Sequence, residues 1–221
     1  MSAAKRLRVA VDRTAGTPVA FDRRTVESPA PDARTISFAA YAQRLAEVLV
    51  KSSWSAVADL AEDLLALWKR GGTLFICGNG GSAGNAIHLA NDFLYGIAKT
   101  SGLGMRVQAL SANASVLTCL ANDMGYEHIF SAQLAVQARK DDILLAFSGS
   151  GNSSNIVRAL EQARDMSVKT YAVLGYGGGE CKGLADVPIH FAVDDMQISE
   201  DMQLVIGHML MQWLSQRGAQ P

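Results

Sequence analysis

Phe75-Ile76-Cys77-Gly78-Asn79-Gly80-Gly81-Ser82 sets a short apolar run against a glycine-rich polar loop, and an amphipathic stretch follows. The apolar run reads as a buried strand, because parallel strands covered on both faces are continuously apolar rather than alternating. Glycines let the following loop take positive φ and let a ligand approach the backbone. Ser82 is placed either to cap the next helix or to offer its hydroxyl to a ligand. The same arrangement recurs where 144–147 runs into Ser148-Gly149-Ser150-Gly151-Asn152-Ser153. Three serines and two glycines at a helix start make a cradle for an anion, since free amides and the helix dipole point at it. One such loop is as readily an ordinary strand-to-helix turn. Two in one short chain favour a phosphate-type ligand. Neither loop ends in the GK[ST] of a Walker A motif or matches GxGxxG, so no nucleotide cofactor is expected.

Outward from these loops, apolar runs and amphipathic stretches alternate. Strands are predicted at 73–77, 106–110, 143–147, 170–174 and 187–191, with helices near 83–96, 126–138, 153–166 and 182–186 and a last one over 197–214. Five short strands alternating with helices imply a parallel sheet covered on both faces, with ligands at the carboxyl ends of its strands. Ahead of the sheet, Tyr41, Leu45, Val48, Leu49, Val57, Leu60, Leu64, Leu65 and Trp68 recur at helical spacing, as one long helix or a hairpin. Residues 1–36 hold three prolines and no sustained period, and read as a flexible tail or an arm toward a neighbouring subunit.

The 221 residues suffice for one α/β domain with an appendage. Apolar residues make up 49% and charged residues 19%, enough apolar material for a substantial core. A net charge of −1 gives no electrostatic footprint for nucleic acid or an anionic membrane, so an anionic ligand must be held locally. Cys77, Cys119 and Cys181 are scattered, unlike a disulfide framework, and fit a reducing compartment. No apolar run approaches the roughly 20 residues that span a bilayer. The opening MSAAKRLRVAVDRTAG is basic without an apolar run, so no secretory signal is expected and a cytoplasmic location is.

Four stretches, CGNGGSAGNAIHLANDF (77–93), SVLTCLANDMGYEHIFSAQL (115–134), SGSGNSSNIVRALEQA (148–163) and QISEDMQLVIGHML (197–210), resemble the SIS (sugar isomerase) family, and within it the phosphoheptose isomerases. The resemblance implies a three-layer, flavodoxin-like or Rossmann-like fold over 37–217 as a single domain that includes the N-terminal helical segment. It implies a homotetramer with active sites at subunit interfaces and a small sugar phosphate as substrate. Ser148, Gly149, Ser150, Asn152 and Ser153 would hold the phosphate. Asn79, Gly80, Ser82, Asn122, Asp123 and Glu200 would meet the rest of the sugar. Asp92 and His208 stand at the acid–base positions, for isomerisation of sedoheptulose 7-phosphate to an aldoheptose 7-phosphate through an enediol.

Asp92 replaces a family Glu, drawing the carboxylate back by about 1.5 Å, a displacement that can cost about 10²-fold in rate. His88 and Asp92 are spaced i, i+4 and share a helix face, and Glu200 and His208 are eight apart on another. Glu200 stands where the family has Gln. The quartet His88, Asp92, Glu200 and His208 would suit Zn²⁺ or another borderline divalent ion. His128 and His190 lack such partners and read as hydrogen-bonding or packing residues. The same family includes non-catalytic phosphosugar sensors and replication-initiation regulators, so a regulatory binding protein, or an isomerase of another ketose phosphate, stands as the alternative.

Overall fold

A computed structural model describes residues 36–217. The tail expected over 1–36 lies outside the described residues, apart from Ile36, which opens the first helix. The sheet and its loops lie within the unit that begins at Ala42.

Two helices precede the sheet, α1 (Ile36–Lys51) and α2 (Ser55–Lys69), so the segment is broken at 52–54 and is not one long helix. α2 buries Val57, Leu60, Ala61, Leu64 and Leu67, an i, i+3, i+4 stripe, whereas α1 buries none. Five parallel strands follow: β1 (Thr73–Cys77), β2 (Arg106–Ala109), β3 (Ile143–Ser148), β4 (Lys169–Leu174) and β5 (Val187–His190). Every residue of β3 is buried, as expected for a central strand covered on both faces.

The strand order is β2-β1-β3-β4-β5. After β1 the chain steps outward to β2, then crosses back to lay β3 on β1's other side. The carboxyl ends of β1 and β3 therefore flank the topological switch point, where open α/β sheets form their ligand crevice. Both glycine–serine loops leave the sheet at this point.

The helices between and after the strands are α3 (Gly80–Asn91), α4 (Ala98–Ser101), α5 (Ala114–Met124), α6 (Ser131–Gln137), α7 (Ser154–Asp165), α8 (Cys181–Leu184) and α9 (Met196–Arg217). On one face of the sheet, Phe75, Cys77, Leu144, Ala146, Ala172 and Leu174 pack with Phe130, Leu134, Ile156, Leu160 and Cys181 of α6, α7, α8 and their flanks. Side chains alternate along a strand, so Leu74, Ile76, Leu145, Phe147, Tyr171 and Val173 face the other side, where α2 and α3 meet the sheet and α9 packs on both helices.

Two helical expectations need correction. The helix read over 126–138 is a 3₁₀ turn, Tyr126–His128, followed by the short α6. α5 lies where no helix is predicted: none of its residues is fully buried, but Leu117, Leu120 and Ala121 form a half-buried i, i+3, i+4 stripe against the core, and Asn113 caps it by accepting from the Ser115 and Val116 amides. α3 also gives way at Asp92 to a π-turn over Asp92–Gly96, where the Ile97 N–H donates to the Asp92 carbonyl at 3.0 Å. Single π-turns inside α-helices are frequent at functional sites.

Candidate active site

In the first loop, a Cβ on Gly78 would come within 2.8 Å of Ser82 backbone and side-chain atoms, and Gly80 holds φ +54°, so the tight turn excludes larger residues at both positions. Asn79 and Asn155 of α7 form a reciprocal amide pair, each Nδ2 donating to the other's Oδ1 at 2.8 Å, and the Tyr126 hydroxyl also donates to Asn79 Oδ1 at 3.0 Å. Ser82, expected on the ligand, is instead buried at 4% exposure and accepts a hydrogen bond from Gln203 Nε2 at 2.9 Å. Asn85 Nδ2 donates to Gln203 Oε1 and to the Glu200 carbonyl. The hydroxyl is drawn into the α3–α9 seam because this polar string satisfies groups packed away from water.

The second loop closes on itself. The Gly151 amide donates to Ser148 Oγ at 3.0 Å, and the Asn152 amide to Ser150 Oγ at 3.3 Å. The Glu180 amide donates to Asn152 Oδ1 at 3.0 Å, tying the loop to the segment after β4. Gly151 has φ +71°, and a Cβ there would sit 2.0 Å from the Gly178 carbonyl oxygen. A Cβ on Gly149 would meet Met196 Sδ at 2.4 Å. Ser153 opens α7 without a side-chain capping bond, which leaves its hydroxyl to a ligand. A cavity of about 520 Å³ stands here, lined by Ser150, Asn152, Tyr176, Gly177, Gly179 and Met196.

His88, Asp92 and His208 converge. His88 Nε2 lies 3.1 Å from His208 Nε2, and Asp92 Oδ2 lies 3.4 Å and 3.6 Å from the two nitrogens. The rings meet edge to face with centroids 5.3 Å apart. Both imidazoles are about half exposed, while the carboxylate is largely covered. Glycine produces this approach: a Cβ on Gly207 would stand 2.2 Å from Leu89 Cδ2, so only a bare Cα lets α9 lie this close to α3. The shorter Asp92 reaches both rings.

Glu200 does not join the cluster, which corrects the four-ligand set. The three gathered ligand atoms lie within 4.8 Å of one another, and Glu200 is not among them. Its carboxylate packs instead against Gly81, at the start of α3. Eight residues along one helix rise about 12 Å, so sharing a face with His208 does not bring it to the same ion. Asn122 and Asp123 lie exposed on α5, where Asn122 Nδ2 donates to Asp123 Oδ1 and the Cys119 thiol to Asp123 Oδ2. Their bonds are local and reach neither loop. The hydrogen bond to Asp123 raises the Cys119 thiol above its usual range, and burial raises Cys77 and takes Cys181 to about 11, so none of the three is poised as a thiolate.

Sequence reasoning missed Asn155 and Tyr126. Asn155 carried a signal, an amide heading the otherwise apolar stripe Ile156, Ala159, Leu160 and Ala163 of α7. Tyr126 carried none.

A doubly wound α/β sheet with two glycine–serine loops at its switch point, and an imidazole–carboxylate cluster on the neighbouring helix pair, defines a protein that holds a small anionic ligand beside acid–base groups. The chain belongs to the SIS domain family, which matches residues 37–175, and within it to the phosphoheptose isomerase group. It is similar to the phosphoheptose isomerase of Akkermansia muciniphila, 42% identical over 154 residues, covering 70% of this chain and 79% of that one. Among solved structures it is similar to phosphoheptose isomerase GmhA from Neisseria gonorrhoeae, with TM-score 0.74 and 27% identity, covering 81% of this chain and 95% of that one. It is also similar to a phosphoheptose isomerase from Francisella tularensis, with TM-score 0.75 and 26% identity over 82% and 97% of the two chains.

Proposed function

We propose that this chain catalyses the aldose–ketose isomerisation of sedoheptulose 7-phosphate to an aldoheptose 7-phosphate, as the relatives' name indicates for them. The observation that carries the reading is the convergence of His88 Nε2, His208 Nε2 and Asp92 Oδ2. Ser148, Ser150, Asn152 and Ser153, with the loop amides, hold the phosphate at the amino end of α7. Asn79 and Gly80 meet hydroxyl groups at the amino end of α3. The Glu200 carboxylate against Gly81 makes that end unsuited to phosphate and a good acceptor for hydroxyls, so the sugar is bound in one direction.

Isomerisation then needs one base and one acid. Asp92 takes a proton from C1. The freed electron pair forms the C1–C2 double bond while the carbonyl pair moves to O2, which receives a proton from His208. Return of a proton to C2 and loss of the O1 proton give the aldose.

Two imidazoles and a carboxylate, with all three donor atoms within 4.8 Å, also fit a divalent ion such as Zn²⁺, held by His88, Asp92 and His208. When bound it would polarise the sugar's carbonyl and alcohol oxygens. Ile87, Leu94, Tyr95 and Met209, all exposed, adjoin the cluster in sequence and give an apolar rim that a second copy would cover, which supports a homotetramer with sites at its interfaces. Among the described residues no helix is long and apolar enough to cross a membrane, and the cytoplasm is the compartment this reading implies.

The test is incubation with sedoheptulose 7-phosphate in D₂O, with Zn²⁺ present, followed by NMR. The expected product is an aldoheptose phosphate deuterated at C2, with turnover down at least about 10²-fold in Asp92→Asn and His208→Ala. Unchanged, undeuterated sugar, or full activity in both variants, overturns the assignment and favours a phosphosugar sensor.

A further inference from the structure

An Asn at a helix start ordinarily turns its side-chain oxygen to the second or third amide of the helix. Asn79 has the extended backbone of a capping residue, φ −111° and ψ 153°, yet its side chain makes no bond to the first turn of α3. That oxygen is engaged elsewhere, accepting from Asn155 Nδ2 at 2.8 Å and from the Tyr126 hydroxyl at 3.0 Å, while Asn79 Nδ2 donates back to Asn155 Oδ1 at 2.8 Å. Asn155 is 0% exposed and sits in the first turn of α7. The amide pair therefore bridges the loops that leave β1 and β3, across the switch point of the sheet.

This arrangement gives up a helix cap, ordinarily worth about 1 kcal/mol. In exchange, the amides of Gly81 and Ser82 have no side-chain cap and stay free for a ligand. Glu200 lies against Gly81, but among the described residues no hydrogen bond joins its carboxylate to those amides. A buried amide that found no partner would be costly, so Asn155 holds Asn79 in place as firmly as it is itself held.

We propose that Asn155 and Tyr126 are positioning residues, which hold Asn79 out of its capping pose, keep the amino end of α3 open to the sugar and set its distance from the phosphate loop. The inference rests on the isomerase reading only for the identity of the ligand.

Amide hydrogen exchange on the ligand-free protein tests the first half. In Asn155→Leu, Asn79 is released to cap α3, and exchange at Gly81 and Ser82 slows by about fivefold, the equilibrium worth of a cap. Steady-state kinetics with sedoheptulose 7-phosphate test the second half. KM rises about tenfold in Asn155→Leu and about threefold in Tyr126→Phe, with kcat within about twofold, as expected for loss of one or two hydrogen bonds that act on binding. Tyr126 is exposed, so its variant reads the effect without risk to the fold. Asn155→Asp adds a signature that a structural role lacks. Its neutral carboxyl both donates to Asn79 Oδ1 and accepts from Nδ2, whereas its ionised form only accepts, so KM stays near wild type in acid and climbs with pH, an inflection absent from wild type. Unchanged exchange in Asn155→Leu overturns the proposal. So does unchanged KM in both Asn155→Leu and Tyr126→Phe, or a loss of kcat and thermal stability with KM intact. Should the wild type fail to turn over the sugar, the isomerase reading falls and the exchange result decides the positioning role alone.

Discussion

Gly207→Ala tests whether the closeness of α3 and α9 assembles the acid–base cluster. A Cβ at position 207 would lie 2.2 Å from Leu89 Cδ2, 2.4 Å from Cδ1 and 2.8 Å from Cγ. Ordinary contact begins at 3.4 Å, so the shortfall is about 1.2 Å. The whole end of the leucine side chain is in the way, and Leu89 is 0% exposed, so it has no solvent to swing into. Forced overpacking of this kind costs about 1–3 kcal/mol, and the better helix propensity of alanine returns about 1 kcal/mol. The net loss of stability is therefore modest, at most about 2 kcal/mol.

The larger effect is geometric. His208 follows Gly207 directly, and its Nε2 is 3.1 Å from His88 Nε2, one residue before Leu89. Moving α9 out by about 1 Å opens that contact and lowers kcat by about 10²-fold. Thermal unfolding reads the first effect and isomerase turnover the second. Leu89→Ala removes the obstructing atoms, so the double variant should lose less than the sum of the two single losses, a coupling expected only of touching residues. Wild-type stability and turnover in Gly207→Ala, or strict additivity in the pair, would refute the packing argument.

Two other perturbations follow from the structure. Gly151→Ala puts a Cβ 2.0 Å from the Gly178 carbonyl oxygen at φ +71°; the loop must open, and affinity for sedoheptulose 7-phosphate, measured by calorimetry, should fall at least about tenfold. Asp63 bonds the Tyr171 hydroxyl and pairs with Lys169. Desolvation pushes its carboxyl up, but the hydrogen bonds from Lys169 and Tyr171 and the charges of Lys169 and Arg70 outweigh that and hold it below the usual carboxylate value. A lowered folded value means stability that is present above the unfolded carboxylate pKa of about 3.9 and is lost as pH falls through the folded one. Urea midpoints should therefore drop more steeply below about pH 4 in wild type than in Asp63→Asn, and parallel curves would remove Asp63 from that role.

The five strands and both glycine–serine loops were legible because their signals are local. A continuous apolar run such as 144–147 needs only a few adjacent residues to announce a strand, and Gly151 announces its turn because glycine takes φ +71° without the steric cost that a Cβ brings. α5 was illegible for a matching reason. Its apolar stripe, Leu117, Leu120 and Ala121, is short and only half-buried against the core, so it stands out little from the residues around it. The grouping of His88 with Asp92 was readable as i, i+4 on one helix, while their meeting with His208 came from family resemblance and not from spacing.

By itself, the chain determined where backbone must be extended, where it must turn and which side chains share a helix face, since bond geometry sets those within a few residues. Only tertiary structure decided that Ser82 turns inward to Gln203, that Glu200 rests on Gly81 instead of the imidazoles, and that Asn79 is claimed by Asn155. Each of these joins groups 76 to 121 positions apart. At such separations the partner is chosen by how closely α3, α7 and α9 can pack, and at the α3–α9 contact that closeness is set by the missing side chain of Gly207.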